Sequence, residues 1–220
     1  LVEGDAGTAQ ALLALPFDHI FFTGSPAVGR VVMKAAAEHL ASVTLELGGK
    51  SPVLVDADAN LREAARKIAW GKCLNAGQTC VAPDYVLVHE RVHDALVEEL
   101  KAALTAFYGA DAAASPDLAR IISDRHFQRI KGLLDTSGAR VAFGGSSDAA
   151  TRYLAPTLLA QVDPAAPILS EEIFGPLLPI LKVPDMNAAV AHVNARPKPL
   201  ALYVFSGHRA RAEALIARTT

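Results

Sequence analysis

Cysteine is scarce in this sequence: only Cys73 and Cys80 occur among 220 residues. Two cysteines cannot form the disulfide framework of a small secreted domain, so a reducing, cytoplasmic setting is expected. Charge of one sign is also lacking. Twenty-one Lys and Arg stand against 23 Asp and Glu, a formal charge of −2, which offers no broad attraction for nucleic acid or anionic lipid. No apolar run approaches the ~20 residues that span a bilayer, so neither nucleic acid nor a membrane segment is expected. The N-terminal LVEGDAGTAQ lacks the basic-then-apolar pattern of a signal peptide. No Walker loop or Gly-x-Gly-x-x-Gly occurs, and the cysteine spacing with no His cluster argues against a metal. An initiating Met is missing before Leu1 and no closing element follows Ala217, so the chain is expected to be a fragment.

What remains is the composition of a globular protein, 51% hydrophobic and 20% charged, long enough for one large domain or parts of two. Strand and helix signals alternate. Residues 17–22 read as a strand, followed by the turn Thr23-Gly24-Ser25-Pro26. A helix runs from about Ala27 to Leu40, with Ser25 as N-cap and Pro26 at its first position. Residues 43–47 and 51–55 read as strands around Gly48-Gly49, which marks the domain boundary. Helical spacing covers 61–74, a strand 85–89, and an amphipathic helix 92–107. Further helices are expected at 120–134, 186–194 and from Arg209, with strands at 140–143, 177–183 and 201–205. Strands separated by helices of 10 to 15 residues predict βαβ units and an α/β fold with a mainly parallel sheet.

Four places offer chemistry. Cys80 lies in NAGQTCVAPDYV, a loop rich in Gly, Asn and Thr between a helix and a strand. A cysteine is most often a buried, inert thiol, which suits Cys73 in the helical pattern beside Trp70. A thiolate at Cys80 would instead attack an electrophilic carbon, with its own backbone N–H facing the developing oxyanion. Glu46 is the lone carboxylate of VTLEL. Facing solvent it is a surface charge; in a cleft, desolvation would raise its pKa and make it a general base. The segment from Gly24 to Gly29 opens a helix whose N–H groups favour phosphate, although by itself an ordinary capped turn explains it better. Glu171 and Glu172, before Phe174-Gly175-Pro176, are adjacent carboxylates at a turn, one of which would suit a ribose diol.

In this order, FTGSPAVGR, VTLELGGKSP, NAGQTCVAPDYV and SEEIFGPLLPI resemble the signature blocks of the NAD(P)-dependent aldehyde dehydrogenase superfamily. The resemblance runs from Phe17 to Phe205 and includes the 34 residues separating Glu46 from Cys80. It leans toward the branch of fatty-aldehyde and coniferyl-aldehyde enzymes. It implies an aldehyde dehydrogenase-like α/β fold, with residues 1–47 ending a Rossmann-type cofactor domain and 48–220 forming most of a catalytic domain.

It also implies roles. Cys80 would be the nucleophile, giving a thiohemiacetal and then a thioester, and Glu46 would activate the hydrolytic water. Gly24, Ser25 and Gly29 would line the dinucleotide, Ser25 near its pyrophosphate. Glu172 would grip the nicotinamide ribose and Phe174 would position that end, while Glu171 remains a solvated neighbour. The implied cofactor is NAD or NADP, the substrate an aromatic or medium-chain aldehyde, and the parent enzyme a homodimer or homotetramer. The family's Asn-containing oxyanion block, its adenosine-ribose Lys and its C-terminal oligomerisation segment have no counterpart here. Losing an oxyanion donor costs ~2.7–4 kcal/mol in barrier, so the chain alone is expected to be almost inactive. Rival readings are a CoA-acylating relative, a non-catalytic descendant, or a cysteine hydrolase, for which His89 and His126 give no convincing base.

Overall fold

The computed structural model describes residues 1–219 and divides into two compact units, Leu1–Gly49 and Lys50–Thr220. In the first, α1 (Ala6–Leu13) precedes β1 (His19–Gly24), α2 (Pro26–Glu38) and β2 (Ser42–Leu47). Strands β1 and β2 pair in parallel, with Thr23 opposite Glu46 and Gly24 opposite Leu47. Helix α2 starts where the sequence predicts. The Ser25 hydroxyl accepts from the Val28 N–H at 3.3 Å, and Pro26 occupies the first turn, where its missing N–H costs nothing. Its buried positions, Gly29, Val32 and Ala36, form one stripe at helical spacing.

In the second unit the sheet order is β10-β3-β4-β9-β8-β5. The strands are β3 (Pro52–Val55), β4 (Tyr85–His89), β5 (Arg140–Phe143), β8 (Thr157–Ala160), β9 (Leu177–Val183) and β10 (Tyr203–Phe205), with the short pair β6 (Ser147–Asp148) and β7 (Tyr153–Leu154) apart from them. All neighbours run parallel except β5 and β8. The helices are α3 (Leu61–Cys73), α4 (His93–Tyr108), α5 (Asp124–Asp135), α6 (Met186–Asn194) and α7 (Arg209–Ile216).

The strand β3, Pro-Val-Leu-Val, is buried throughout, as expected for a central parallel strand covered on both faces. Its side chains alternate. Val53 and Val55 join Ile68 of α3 and Leu96, Leu100 and Leu104 of α4 on one face. Leu54 joins Leu87 of β4, Ala189 and Val190 of α6 and Leu215 of α7 on the other. A third cluster packs Phe127, Ile130 and Leu133 of α5 against Leu159, Ile173 and Leu177. Each fully buried Leu or Ile here is worth about 2–5 kcal/mol against truncation to Ala.

Differences from the sequence reading have local causes. The fifth helix begins at Asp124, not Arg120, because Ser123 caps it through the His126 N–H at 3.4 Å. The eight-residue α1 and the strand β8 were not expected. Gly24 closes β1 instead of lying in a turn. Trp70 is 60% exposed, while Cys73 is buried as the sequence suggests.

Candidate active site

Four parallel strands of the second unit begin along one edge of its sheet, and the sequence blocks gather there. Lys50 and Ser51 precede β3, Cys80 lies before β4, Glu172 and Phe174 come before β9, and Tyr203 opens β10. Ligands of open parallel sheets usually sit at the opposite, carboxyl ends of the strands. This edge therefore needs its own explanation, and the loops supply it.

Helix α3, capped at its start by Asn60 through the Glu63 N–H at 3.2 Å, ends at Cys73. Three successive left-handed residues then stop it: Asn75 (φ 52°), Ala76 (φ 53°) and Gly77 (φ 75°). Such a conformation costs of order 1–3 kcal/mol per non-glycine residue and persists only where surroundings enforce it. Burial of Ala76 beside Ile121, Phe127 and Ile130 does so, and Gln78 fastens the next step. Its amide donates to Asn75 O at 3.0 Å and Arg120 O at 3.1 Å, and its side-chain oxygen accepts from Ile122 N at 2.9 Å.

Thr79 to Ala82 then form a turn closed by Ala82 N donating to Thr79 O at 3.0 Å. Cys80 occupies the first central position with its thiol exposed. The Tyr203 hydroxyl donates to Val81 O at 2.5 Å across 122 residues of sequence. Burial, and then the nearby Cys80 charge, push that phenol above its ordinary pKa. The loop at Cys80 is therefore held from both sides, contrary to its flexible-looking composition.

The second loop is held equally well. Lys50 pairs with buried Asp84 and donates to Ile168 O at 2.7 Å and Glu171 O at 2.8 Å. Burial pushes its ammonium pKa down, and Asp84 restores part of the loss. The other Asp84 oxygen accepts from Ile173 N at 2.9 Å. Arg129 donates to Glu172 O at 3.2 Å and Ile173 O at 2.6 Å. Glu172 and the exposed Phe174, itself at φ 49°, thus stand on a backbone clamped by three charged groups. Gly77 touches this loop directly: a Cβ there would lie 2.3 Å from Gly175 O. The structure therefore brings Cys80, Glu172 and Phe174 to one neighbourhood.

The first unit places Glu46, Gly24 and Ser25 together at the carboxyl end of its parallel pair. Glu46 is exposed there. A Cβ on Gly29 would lie 2.8 Å from Leu47 Cδ2 and would force that side chain to move, so α2 closes tightly on β2. Ser25 takes one of the free N–H groups at the helix start. A tight strand–helix junction with a glycine at the contact fits a dinucleotide's pyrophosphate.

The roles of Lys50, Asp84, Arg129, Gln78 and Tyr203 are not legible in the sequence. They act through partners 34 to 122 residues away, and no local spacing signals them.

The model of the Aldehyde dehydrogenase family matches residues 1–220. The chain belongs to that family. The rat protein named aldehyde dehydrogenase, dimeric NADP-preferring, is 53% identical over all 220 residues, which make up 48% of its own length. The 4,4'-diaponeurosporen-aldehyde dehydrogenase of Staphylococcus aureus is 50% identical over 206 residues, 94% of this chain and 45% of that protein. Among solved structures, the substrate-bound state of Staphylococcus aureus AldH superposes with a TM-score of 0.97 at 47% identity. It is matched over all of this chain and 48% of that one. The chain thus spans about half the length of the family members it matches.

Proposed function

We propose that the protein carrying this chain oxidises an aldehyde to the carboxylic acid with NAD(P)+ through a covalent intermediate on Cys80. The observation that carries this is the exposed thiol on a doubly anchored turn, backed by the loop that holds Glu172 and Phe174. The sulfur adds to the aldehyde carbon, and the turn's free backbone N–H faces the oxygen that gains charge. When bound, NAD(P)+ would supply the acceptor for a hydride from that carbon. A thioester is left on Cys80, and Glu46 takes a proton from the water that hydrolyses it, regenerating the thiol.

Glu172 and Phe174 would hold the nicotinamide end of the cofactor, and Gly24, Ser25 and Gly29 its pyrophosphate end. The first unit closes a cofactor domain and the second forms most of a catalytic domain. The substrate class is our reading of exposed apolar side chains close to the nucleophile in sequence. Trp70, Leu74 and Val81, within ten residues of Cys80, are 60%, 48% and 40% exposed, which suits an aromatic aldehyde such as coniferyl aldehyde or a medium-chain aliphatic one. A dimer is consistent with the rat relative's name.

The test is an aldehyde panel with the full-length protein, followed at the reduced-cofactor absorbance with and without CoA. Acid formation without CoA, fastest on apolar aldehydes, is expected. A requirement for CoA, or turnover without cofactor reduction, would overturn the proposal.

A further inference from the structure

The turn that presents Cys80 is closed locally by a single backbone hydrogen bond, Ala82 N to Thr79 O. One bond across two central residues leaves the intervening peptides free to rotate, because a typical hydrogen bond contributes modestly once exchange with water is counted. The Val81 carbonyl, immediately after the nucleophile, has a second restraint. The Tyr203 hydroxyl reaches it at 2.5 Å from the first residue of β10. That strand pairs with β3 in a fixed register, Tyr203 opposite Val53, and Val53 is fully buried. The anchor is therefore the sheet itself, not another loop.

We infer that Tyr203 is a positioning residue, whose hydroxyl fixes the peptide after Cys80 and so aims the sulfur at the aldehyde carbon. The inference rests on the reaction proposed above. Burial keeps the phenol protonated well beyond neutral pH, so it donates to Val81 O throughout the range in which a dehydrogenase would work. The role is distinct from that of Gln78, which holds the residues before the turn through Asn75, Arg120 and Ile122. Together the two side chains restrain the turn at each end, Gln78 before it and Tyr203 on the side toward β4, where Asp84 N in turn donates to Ser51 O at 2.8 Å. A sulfur aimed correctly for a smaller fraction of the time slows addition without altering how the substrate or the cofactor binds.

Tyr203→Phe in the full-length protein removes the hydroxyl and keeps the ring that packs beside the sheet. Amide exchange at Ala82 is expected to rise at least about fivefold while exchange in β3 and β4 stays as in the wild type. In the same variant kcat is expected to fall about 3- to 10-fold with aldehyde KM within about twofold. Alkylation of the exposed Cys80 by iodoacetamide should stay within about twofold, since a small reagent attacks from any direction. Buried Cys73 should remain protected, which separates positioning from general loosening. Unchanged Ala82 exchange, or a fall in kcat accompanied by loss of Cys73 protection, overturns the inference. Failure of the proposed function looks different: the wild-type protein itself reduces no cofactor, while the Ala82 exchange still reports whether Tyr203 holds the turn.

Discussion

Gly77 and Gly175 meet backbone to backbone, so closely that a methyl group on Gly77 would lie 2.3 Å from the carbonyl oxygen of Gly175. The contact joins the loop that leads into Cys80 to the loop that follows Phe174, 98 residues later. Gly77 is also left-handed at φ 75°. Two independent constraints, conformation and space, therefore demand glycine at one position. Gly77→Ala should cost about 3 kcal/mol or more, read as a lowered urea midpoint at unchanged slope. A change below about 0.5 kcal/mol, the size of an ordinary surface substitution, would show that the two loops do not press together.

Lys50 and Asp84 form an ion pair with side chains 11% and 3% exposed, and each uses its remaining capacity on the backbone of residues 168–173. Breaking such a pair from one side strands the other charge. Asp84→Ala should destabilise by about 3–5 kcal/mol and make the bond between Glu171 and Glu172 a site of limited proteolysis. The double variant Lys50→Met/Asp84→Leu should recover much of the stability but not the protease resistance, because the backbone bonds to Ile173 N and Glu171 O remain lost. Equal stability in the two variants would refute this account of the loop.

Stability should also depend on pH in a way that reports Lys72 and Cys73, neighbours at the end of α3. Burial pushes the fully enclosed Lys72 ammonium from 10.5 down to about 8, partly offset by Asp84. The same burial pushes the Cys73 thiol from 9.0 up to about 12, and Tyr85 from 10.0 up to about 12. Between pH 8 and 9 the unfolded chain holds the Lys72 proton that the folded chain releases, so unfolding free energy rises. One proton contributes at most about 1.4 kcal/mol per pH unit. Above pH 9 the folded chain keeps the Cys73 proton that the unfolded chain loses, which cancels the rise, and above 10 Tyr85 turns it into a fall. Denaturation at stepped pH should show this maximum. Lys72→Met should abolish the rise and Cys73→Ala should extend it toward pH 10. A wild-type profile that falls steadily from pH 8 would contradict it.

Much of the fold was legible because its causes are local. Ser25 and Pro26 announce the start of α2, and the unbroken apolar run of β3 announces a strand covered on both faces. Strand β8 was not, since four residues between Pro156 and Gln161 carry no period long enough to read. Of the candidate site, Cys80 and Glu172 are legible through the resemblance of their sequence blocks, since chemistry alone leaves Cys80 open to the inert-thiol reading and does not choose between Glu171 and Glu172. What holds them is not. Arg129, Asp84 and Tyr203 are an unremarkable helix arginine, a loop aspartate and a strand tyrosine until the sheet places them beside distant carbonyls and amides. The exposure of Glu46 was equally hidden, because alternation along a strand does not say which face meets solvent.

Glu46 carries the proposed deacylation step, and its removal should split the reaction in time. Glu46→Gln in the full-length protein should release about one equivalent of reduced cofactor per site in a burst. Steady turnover should then be slower by about 10²–10⁴, the usual worth of a general base. Stopped-flow absorbance measures both phases. A variant that loses the burst as well would place Glu46 in the addition step instead.

The central claim is that a covalent acyl group resides on Cys80 during turnover. Acid-quenching the full-length Glu46→Gln protein with an apolar aldehyde and NAD(P)+, followed by peptide mass analysis, measures it directly. The account predicts an acyl adduct on the peptide containing Cys80, none on the peptide containing Cys73, and no adduct in Cys80→Ser. Cofactor reduction that continues in Cys80→Ser, or an adduct found only elsewhere, would contradict it.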